Sequence, residues 1–212
     1  MNIRLLILPT TFCLLVSFSG CVTIFSDFQS AETLGKGNTE ITPAASIVTF
    51  SNDGESEHIQ TNLGVQFGAG LSETMDLRVR LELPSIPEED FGNIGDFFVF
   101  GVGPKFQIVE KKVAAYIPFG AAFGEDIETD DTFEVQPTLL LSFPLSEQIE
   151  INPSTKLIVP LGSDRDATFA INLGFAAWNN NFGIRPEIGL MKSLEDSEGT
   201  FFHFGIGFSI RN

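Results

Sequence analysis

Cysteine is nearly missing from this chain: its 212 residues include only Cys13 and Cys21. Cys13 falls within an apolar amino-terminal stretch. Beyond that stretch Cys21 stands alone, so the rest of the chain has no disulfide, although an exported protein could form one. Basic residues are also scarce, 12 against 28 acids, for a net charge of −16. A chain this acidic is repelled by nucleic-acid phosphates and anionic head groups, which argues against nucleic acid as a partner. Trp178 and Tyr116 are the lone residues of their types beside 22 Phe. After residue 25 no run of 18 or more apolar residues occurs, so the remainder holds no spanning helix. Phosphate-cradling glycine loops, CxxC pairs and basic-aromatic patches are missing too. No cofactor and no specific metal site is expected.

The amino-terminal residues read as an export signal. "MNIR" supplies a positive start, "LLILPTTFCLLVSF" an apolar stretch and "SGC" a small-residue cleavage context. "FSGC", residues 18–21, resembles the bacterial lipobox, with Phe18 where leucine is usual. That resemblance implies that Cys21 becomes the mature amino terminus and carries diacylglycerol and an N-acyl chain, which together hold a membrane firmly. The expected division is a lipoprotein signal over residues 1–20, an acylated terminus and tether over 21–36, and a barrel over 37–212. No acidic run follows Cys21, so the anchor is expected in the periplasmic leaflet.

From residue 37 the sequence alternates in ten segments, approximately 39–50, 58–70, 75–84, 97–109, 113–124, 132–143, 148–159, 167–178, 182–192 and 200–211. Each approaches the ~9–11 residues that a tilted strand needs to cross a bilayer. The connections alternate as well. "SET", "EKK", "SEQ" and "NNN" are tight, whereas "SNDGESE", "PSIPEEDFGNIGD", "EDIETDD", "GSDRD" and "SLEDSEG" are longer and acidic. The long connections and their edges hold 18 of the 28 acids, which polarises the chain end to end. Short turns on the periplasmic side and longer loops outside are the outer-membrane pattern, and an even strand number puts both chain ends in the periplasm.

Period-two alternation leaves open which face is inside. In "MDLRVRLEL", residues 75–83, Leu77, Val79, Leu81 and Leu83 oppose Asp76, Arg78, Arg80 and Glu82. Two features put the polar face inward. That face is rich in glycine and small amides, as in Gln60, Asn62, Gly64, Gln66, Gly68 and Gly70, which suits a narrow interior. The opposite face carries Phe, Leu, Ile and Val on all ten segments, as a lipid-facing band requires. The expected lumen charge network comprises Arg78, Arg80, Glu82, Lys105, Glu150, Lys156, Arg185 and Glu187, with Glu40, Asp76, Glu134 and Arg211 beside them. A barrel of about ten strands has a plugged or very narrow interior. Pro43, Pro104, Pro118, Pro137, Pro153 and Pro186 each fall inside a segment and remove a ladder donor, so bulges or a position near the rim are expected there.

These features resemble a small bacterial outer-membrane β-barrel protein, and "QSAETLGKGNTEI" resembles the segment leading into the first strand of uncharacterised barrel lipoproteins. The expected fold is an all-β, antiparallel up-and-down transmembrane barrel of about ten strands. The expected function is structural, surface-interacting or narrowly transporting, without catalysis, with outer-membrane lipid as partner and loose divalent cations at the acidic loops. Two alternatives stay open. One is a rim enzyme using His58 or His203. The other is a soluble, lipid-anchored barrel with Leu77, Val79 and Leu81 turned inward around an apolar ligand.

Overall fold

The computed structural model describes residues 26–86, 96–124, 127–162, 165–195 and 199–212. The signal segment, Cys21 and much of the acidic loops lie outside these. Ten antiparallel strands form a closed barrel. They are β1 (Thr39–Asn52), β2 (Glu55–Ser72), β3 (Met75–Ser85), β4 (Phe97–Val109), β5 in two pieces (Val113–Tyr116 and Phe119–Gly124), β6 in three (Glu134–Val135, Thr138–Leu141 and Phe143–Pro144), β7 (Ile149–Pro160), β8 (Thr168–Asn179), β9 (Phe182–Ser193) and β10 (Thr200–Arg211). Each pairs with the next, and β10 closes on β1 from Glu40↔Arg211 to Ser51↔Thr200. Closure removes the free edges that would otherwise expose unpaired backbone groups to lipid.

The polar face is inside. Along β3, Asp76, Arg78, Arg80 and Glu82 are buried, while Leu77 and Leu81 are 38% and 37% exposed on the outer wall. The outer surface continues with Ile41, Phe67, Phe100, Ile171, Ile188 and Phe204, all exposed. An apolar surface of this extent is tolerable only against lipid. It is the reverse of what a soluble barrel with an apolar interior would need, and that alternative fails here.

The prolines follow one rule. Pro43, Pro104, Pro153 and Pro186 keep register on one side, with Val65, Leu77, Leu173 and Ile206 respectively, while the paired register skips them on the other side. A proline lacks one N–H, and that group would have served one neighbour alone. Pro118 and Pro137 lie at the breaks in β5 and β6. Their carbonyls still accept, from Gln136 N at 2.9 Å and Leu157 N at 3.1 Å, and Ile117 N donates to Pro104 O at 3.1 Å. An oblique row of bonds thus stitches β4 to β7 across the interrupted strands. Register is the same on either side of each skipped pair, so of the two devices considered from the sequence bulges are not the one used. Pro43, Pro104, Pro153 and Pro186 lie in the halves of their strands nearer the short turns.

Two further expectations are corrected. "SNDGESE" is not a long loop, because β1 and β2 pair down to Asn52↔Glu55 and turn at Asp53–Gly54. Both turn residues have positive φ, 48° and 87°, as a type I′ hairpin demands. The Asp-Gly pair itself was the readable signal.

The tether is the larger correction. Residues 26–31 are all buried, inside the barrel, and the segment continues to the short-turn rim before entering β1 at Thr39. A polar segment can thread this interior because wall side chains supply its hydrogen-bond partners. The wall leaves room for it. A Cβ on Gly70 would lie 1.8 Å from the Gly35 carbonyl oxygen, and one on Gly205 2.6 Å from the Phe28 ring.

The Gly70 contact is with backbone, which no rotamer change relieves. Gly70→Ala is therefore expected to unseat the segment and lower the temperature at which the folded band converts on an SDS gel. Gly101→Ala meets nothing nearer than 3.7 Å and should leave that temperature unchanged. Equal behaviour of the two variants would contradict the account.

Candidate functional site: the filled lumen

The segment crossing the lumen makes no backbone ladder with the wall between residues 26 and 34. Its hydrogen bonds there run mainly to wall residues, with a side chain on one partner of each. At mid-barrel, Asp27 pairs with Lys156 Nζ on β7 at 2.7 Å and accepts hydrogen bonds from Asn172 Nδ2 at 2.8 Å and from Ser154 Oγ. Glu187 on β9 accepts from the backbone N–H groups of Asp27, 2.7 Å, and Phe28, 2.9 Å. Arg80 donates to the carbonyl of Ser26 at 2.6 Å. Lower down, Ala31 N donates to Ser142 Oγ at 2.8 Å, and Lys105 donates to the carbonyls of Glu32, 2.6 Å, and Ser30, 3.3 Å. Leu34 N donates to Asp76 Oδ1 at 3.0 Å.

A small apolar contact seats the segment sideways, where Ala31 packs with Ala114, Tyr116 and Leu140. At the short-turn rim Glu32 bridges Lys111 at 3.2 Å and Arg211 at 3.3 Å.

Around the plug the wall charges pair with each other. Arg78 meets Glu40 at 2.7 Å and Asp76 at 2.9 Å, and Lys105 meets Asp76 at 3.2 Å. Glu40 also receives Arg211 at 2.7 Å and Arg185 at 3.7 Å. Arg80 faces Glu82 at 3.8 Å. Trp178 stacks under Arg211 and Arg185, 4.0 and 4.9 Å from its ring, and reaches Glu150 with Nε1 at 3.5 Å. Pairs this deeply desolvated persist only because each charge has partners and hydrogen bonds.

All eight expected network residues, Arg78, Arg80, Glu82, Lys105, Glu150, Lys156, Arg185 and Glu187, thus face the interior. They do not form one self-contained network. Lys156 and Glu187 spend their strongest contacts on the amino-terminal segment, and Asp27 and Glu32 are the members that strand reasoning missed. The sequence trace of the segment is confined to a few glycines of the polar face, Gly70, Gly205 and Gly207, where a Cβ would meet Gly35 or Phe28; glycines such as Gly64 and Gly68 make room for wall side chains instead. The two histidines are not brought together. His58 is exposed on β2, whereas His203 is buried beside Asn172 at 3.1 Å and Glu187 at 3.5 Å. Among the described residues no group of three or more His, Cys, Asp or Glu is arranged to hold a metal.

No protein-family profile matches the chain, and no curated protein matches it. Solved structures do. An outer membrane channel from Pseudomonas putida superimposes with a TM-score of 0.57 at 12% identity, covering 89% of this chain and 100% of that one. Neisserial surface protein A gives 0.41 at 9% identity, covering 82% and 99% respectively. The translocator domain of the autotransporter NalP from Neisseria meningitidis gives 0.46 at 9%, covering 82% and 88%. At such identities the likeness is one of fold, and that fold is the outer-membrane β-barrel.

Removing one partner of a buried pair typically costs about 3–5 kcal/mol, because the other charge is left uncompensated. Lys156→Met and Asp27→Asn are each expected to lower stability to urea unfolding in lipid vesicles by an amount of that order. The double variant should cost clearly less than the two losses combined. Additivity would show that the two residues act separately.

Proposed function

We propose that this protein is a non-catalytic outer-membrane β-barrel lipoprotein, closed by its own amino-terminal segment, with a structural or surface-interaction role rather than that of an open pore. The observation that carries this reading is the occupation of the lumen: Asp27 is held by Lys156, Ser154 and Asn172 at mid-barrel. A lumen lined with paired charges and filled by a buried chain offers solutes no free path. The short-turn rim, where Thr39 and Asn212 exchange backbone hydrogen bonds at 3.4 and 3.0 Å, is read as the periplasmic side. Acylation of Cys21 follows from the lipobox resemblance and belongs to the same reading. Transport enters only if the plug leaves. The lumen would then present Lys105, Lys156, Arg80 and Glu187 stripped of their plug partners, a narrow polar passage of mixed sign.

The test is conductance in planar bilayers, on protein that shifts in mobility on SDS gels when boiled. Intact protein is expected to give no steady conductance, and a chain lacking residues 26–34 is expected to conduct. Steady conductance from the intact barrel would overturn the plugged reading. Identical migration with and without boiling would overturn the membrane barrel itself.

A further inference from the structure

The second strand outruns its neighbour. β2 holds 18 residues, where about 9–11 suffice to cross a hydrocarbon layer. β3 pairs with it only as far as Thr61↔Ser85, whereas β1 stays beside it to Asn52↔Glu55. Residues 55–60 are therefore flanked by β1 on one side and, among the described residues, by no strand on the other. Residues 53–58 are all exposed. The β1–β2 hairpin thus stands past the end of β3, on the side of the longer connections, with one edge free.

The turn fixes which backbone groups face that edge. In a hairpin closed by two residues, here Asp53 and Gly54, the flanking pair Asn52 and Glu55 exchanges both hydrogen bonds, and every second pair repeats this. Glu55 and Glu57 therefore spend their N–H and C=O groups on β1. Those of Ser56 and His58 point the other way, to the free edge. The His58 ring lies back along the strand, 3.0 Å from both Gln60 O and Thr61 Oγ1, which directs it away from Ser56.

Native edges are commonly blunted by lysine, proline or a covering chain. Residues 51–60, "SNDGESEHIQ", contain neither lysine nor proline, and their charges are Asp53, Glu55 and Glu57 with no arginine among them. Two copies pairing antiparallel about Ser56 would set Glu55 of one against Glu57 of the other. Like charges so placed are destabilising, whereas a basic strand is attracted.

We propose that the edge of β2 over residues 55–60 is a docking site for an extended, basic segment of another polypeptide, which joins the sheet as an added strand. This rests on the reading of the molecule as an outer-membrane barrel with a surface-interaction role, and it supplies the kind of partner. Ser56 and His58 offer two N–H donors and two carbonyl acceptors. Main-chain hydrogen bonds give the affinity, and lysine or arginine set beside Glu55 and Glu57 gives the selectivity. Four bonds of modest net worth make the contact reversible. Because the short-turn rim is read as periplasmic, the partner approaches from outside the cell.

The test uses the full chain in detergent, shown to be folded by its gel shift on boiling, and a short fluorescent peptide of alternating lysine and threonine whose anisotropy is read. The peptide is expected to bind, and its counterpart of alternating glutamate and threonine is not. The lysine peptide methylated on every backbone nitrogen keeps its charge but has no donor, and is expected to bind about tenfold more weakly or worse. Ser56→Pro removes an outward N–H, breaks no bond to β1, and is expected to weaken binding of the unmethylated peptide by a similar factor. Failure of the unmethylated peptide to bind overturns the proposal. Undiminished binding of the methylated peptide, or by folded Ser56→Pro protein, reduces the contact to charge attraction and overturns it too. Should Ser56→Pro abolish the gel shift, the two lysine peptides on the unaltered barrel decide alone. A dimer of the unaltered protein in light scattering that Ser56→Pro dissolves would overturn the proposal in favour of self-pairing. The plugged reading is untouched by any of these results, since conductance tests it, and the barrel reading fails only if boiling leaves the gel band unmoved.

Discussion

Lys156 is fully buried in the wall of a barrel, and the charge that answers it at 2.7 Å comes from Asp27, which is not part of the wall. Much else follows from that arrangement. An ammonium group withdrawn from water carries a penalty of several kcal/mol unless a counter-charge and hydrogen bonds meet it. Here the counter-charge arrives on a separate length of chain, itself lacking any backbone ladder. The segment needs the wall to satisfy its amides, as Glu187 does for Asp27 and Phe28, and the wall needs the segment to neutralise Lys156. Neither part has its polar groups satisfied alone.

Volume imposes the second constraint. Inward charged columns stand on β3 and β9, and their cross-strand neighbours are repeatedly glycine. Arg78 faces Gly68 and Gly103, Glu82 faces Gly64, and Arg80 faces Gly101. Glu187 faces Gly174 and Gly205, and Arg185 faces Gly207. A Cβ at Gly64 would fall 1.8 Å from the Glu82 carboxylate, and one at Gly183 2.7 Å from the Trp178 ring. Long side chains lie over neighbouring strands as over an open floor, and Gly70, Gly205 and Gly207 clear the track for the plug. Glycine here serves packing at native density rather than backbone flexibility.

This explains why the wall was legible in the sequence and its contents were not. Strand alternation has period two, so "MDLRVRLEL" announces a strand, and the Phe-rich opposite face of its neighbours sets the inside. Residues 26–36, "SDFQSAETLGK", have no period, because the part inside the barrel, residues 26–31, is buried on every side and has no single polar or apolar face to advertise. Composition made it look like a tether, since polar and acidic residues suit water as well as they suit a lumen rich in arginine and lysine. The prolines were legible as a problem but not as a solution. Each strand proline sacrifices pairing toward one neighbour, and which neighbour that is depends on register, which local sequence does not state.

Arg211 ties closure of the barrel to seating of the plug. It stands at the end of β10, opposite Glu40 on β1, and these two strands form the closing seam. Its guanidinium binds Glu40 at 2.7 Å across that seam and Glu32 of the plug at 3.3 Å, while lying 4.0 Å above the Trp178 ring. Glu40 in turn receives Arg78 from β3 and Arg185 from β9. One carboxylate therefore gathers cations from three strands, and one of those cations also holds the plug at its exit. A plug that is absent leaves Arg211 with Glu40 as its one carboxylate partner among those named, beside Trp178, and an open seam leaves Glu32 without Arg211. The two events share a residue, so the barrel is most stable when it closes around its own amino-terminal chain and not before it.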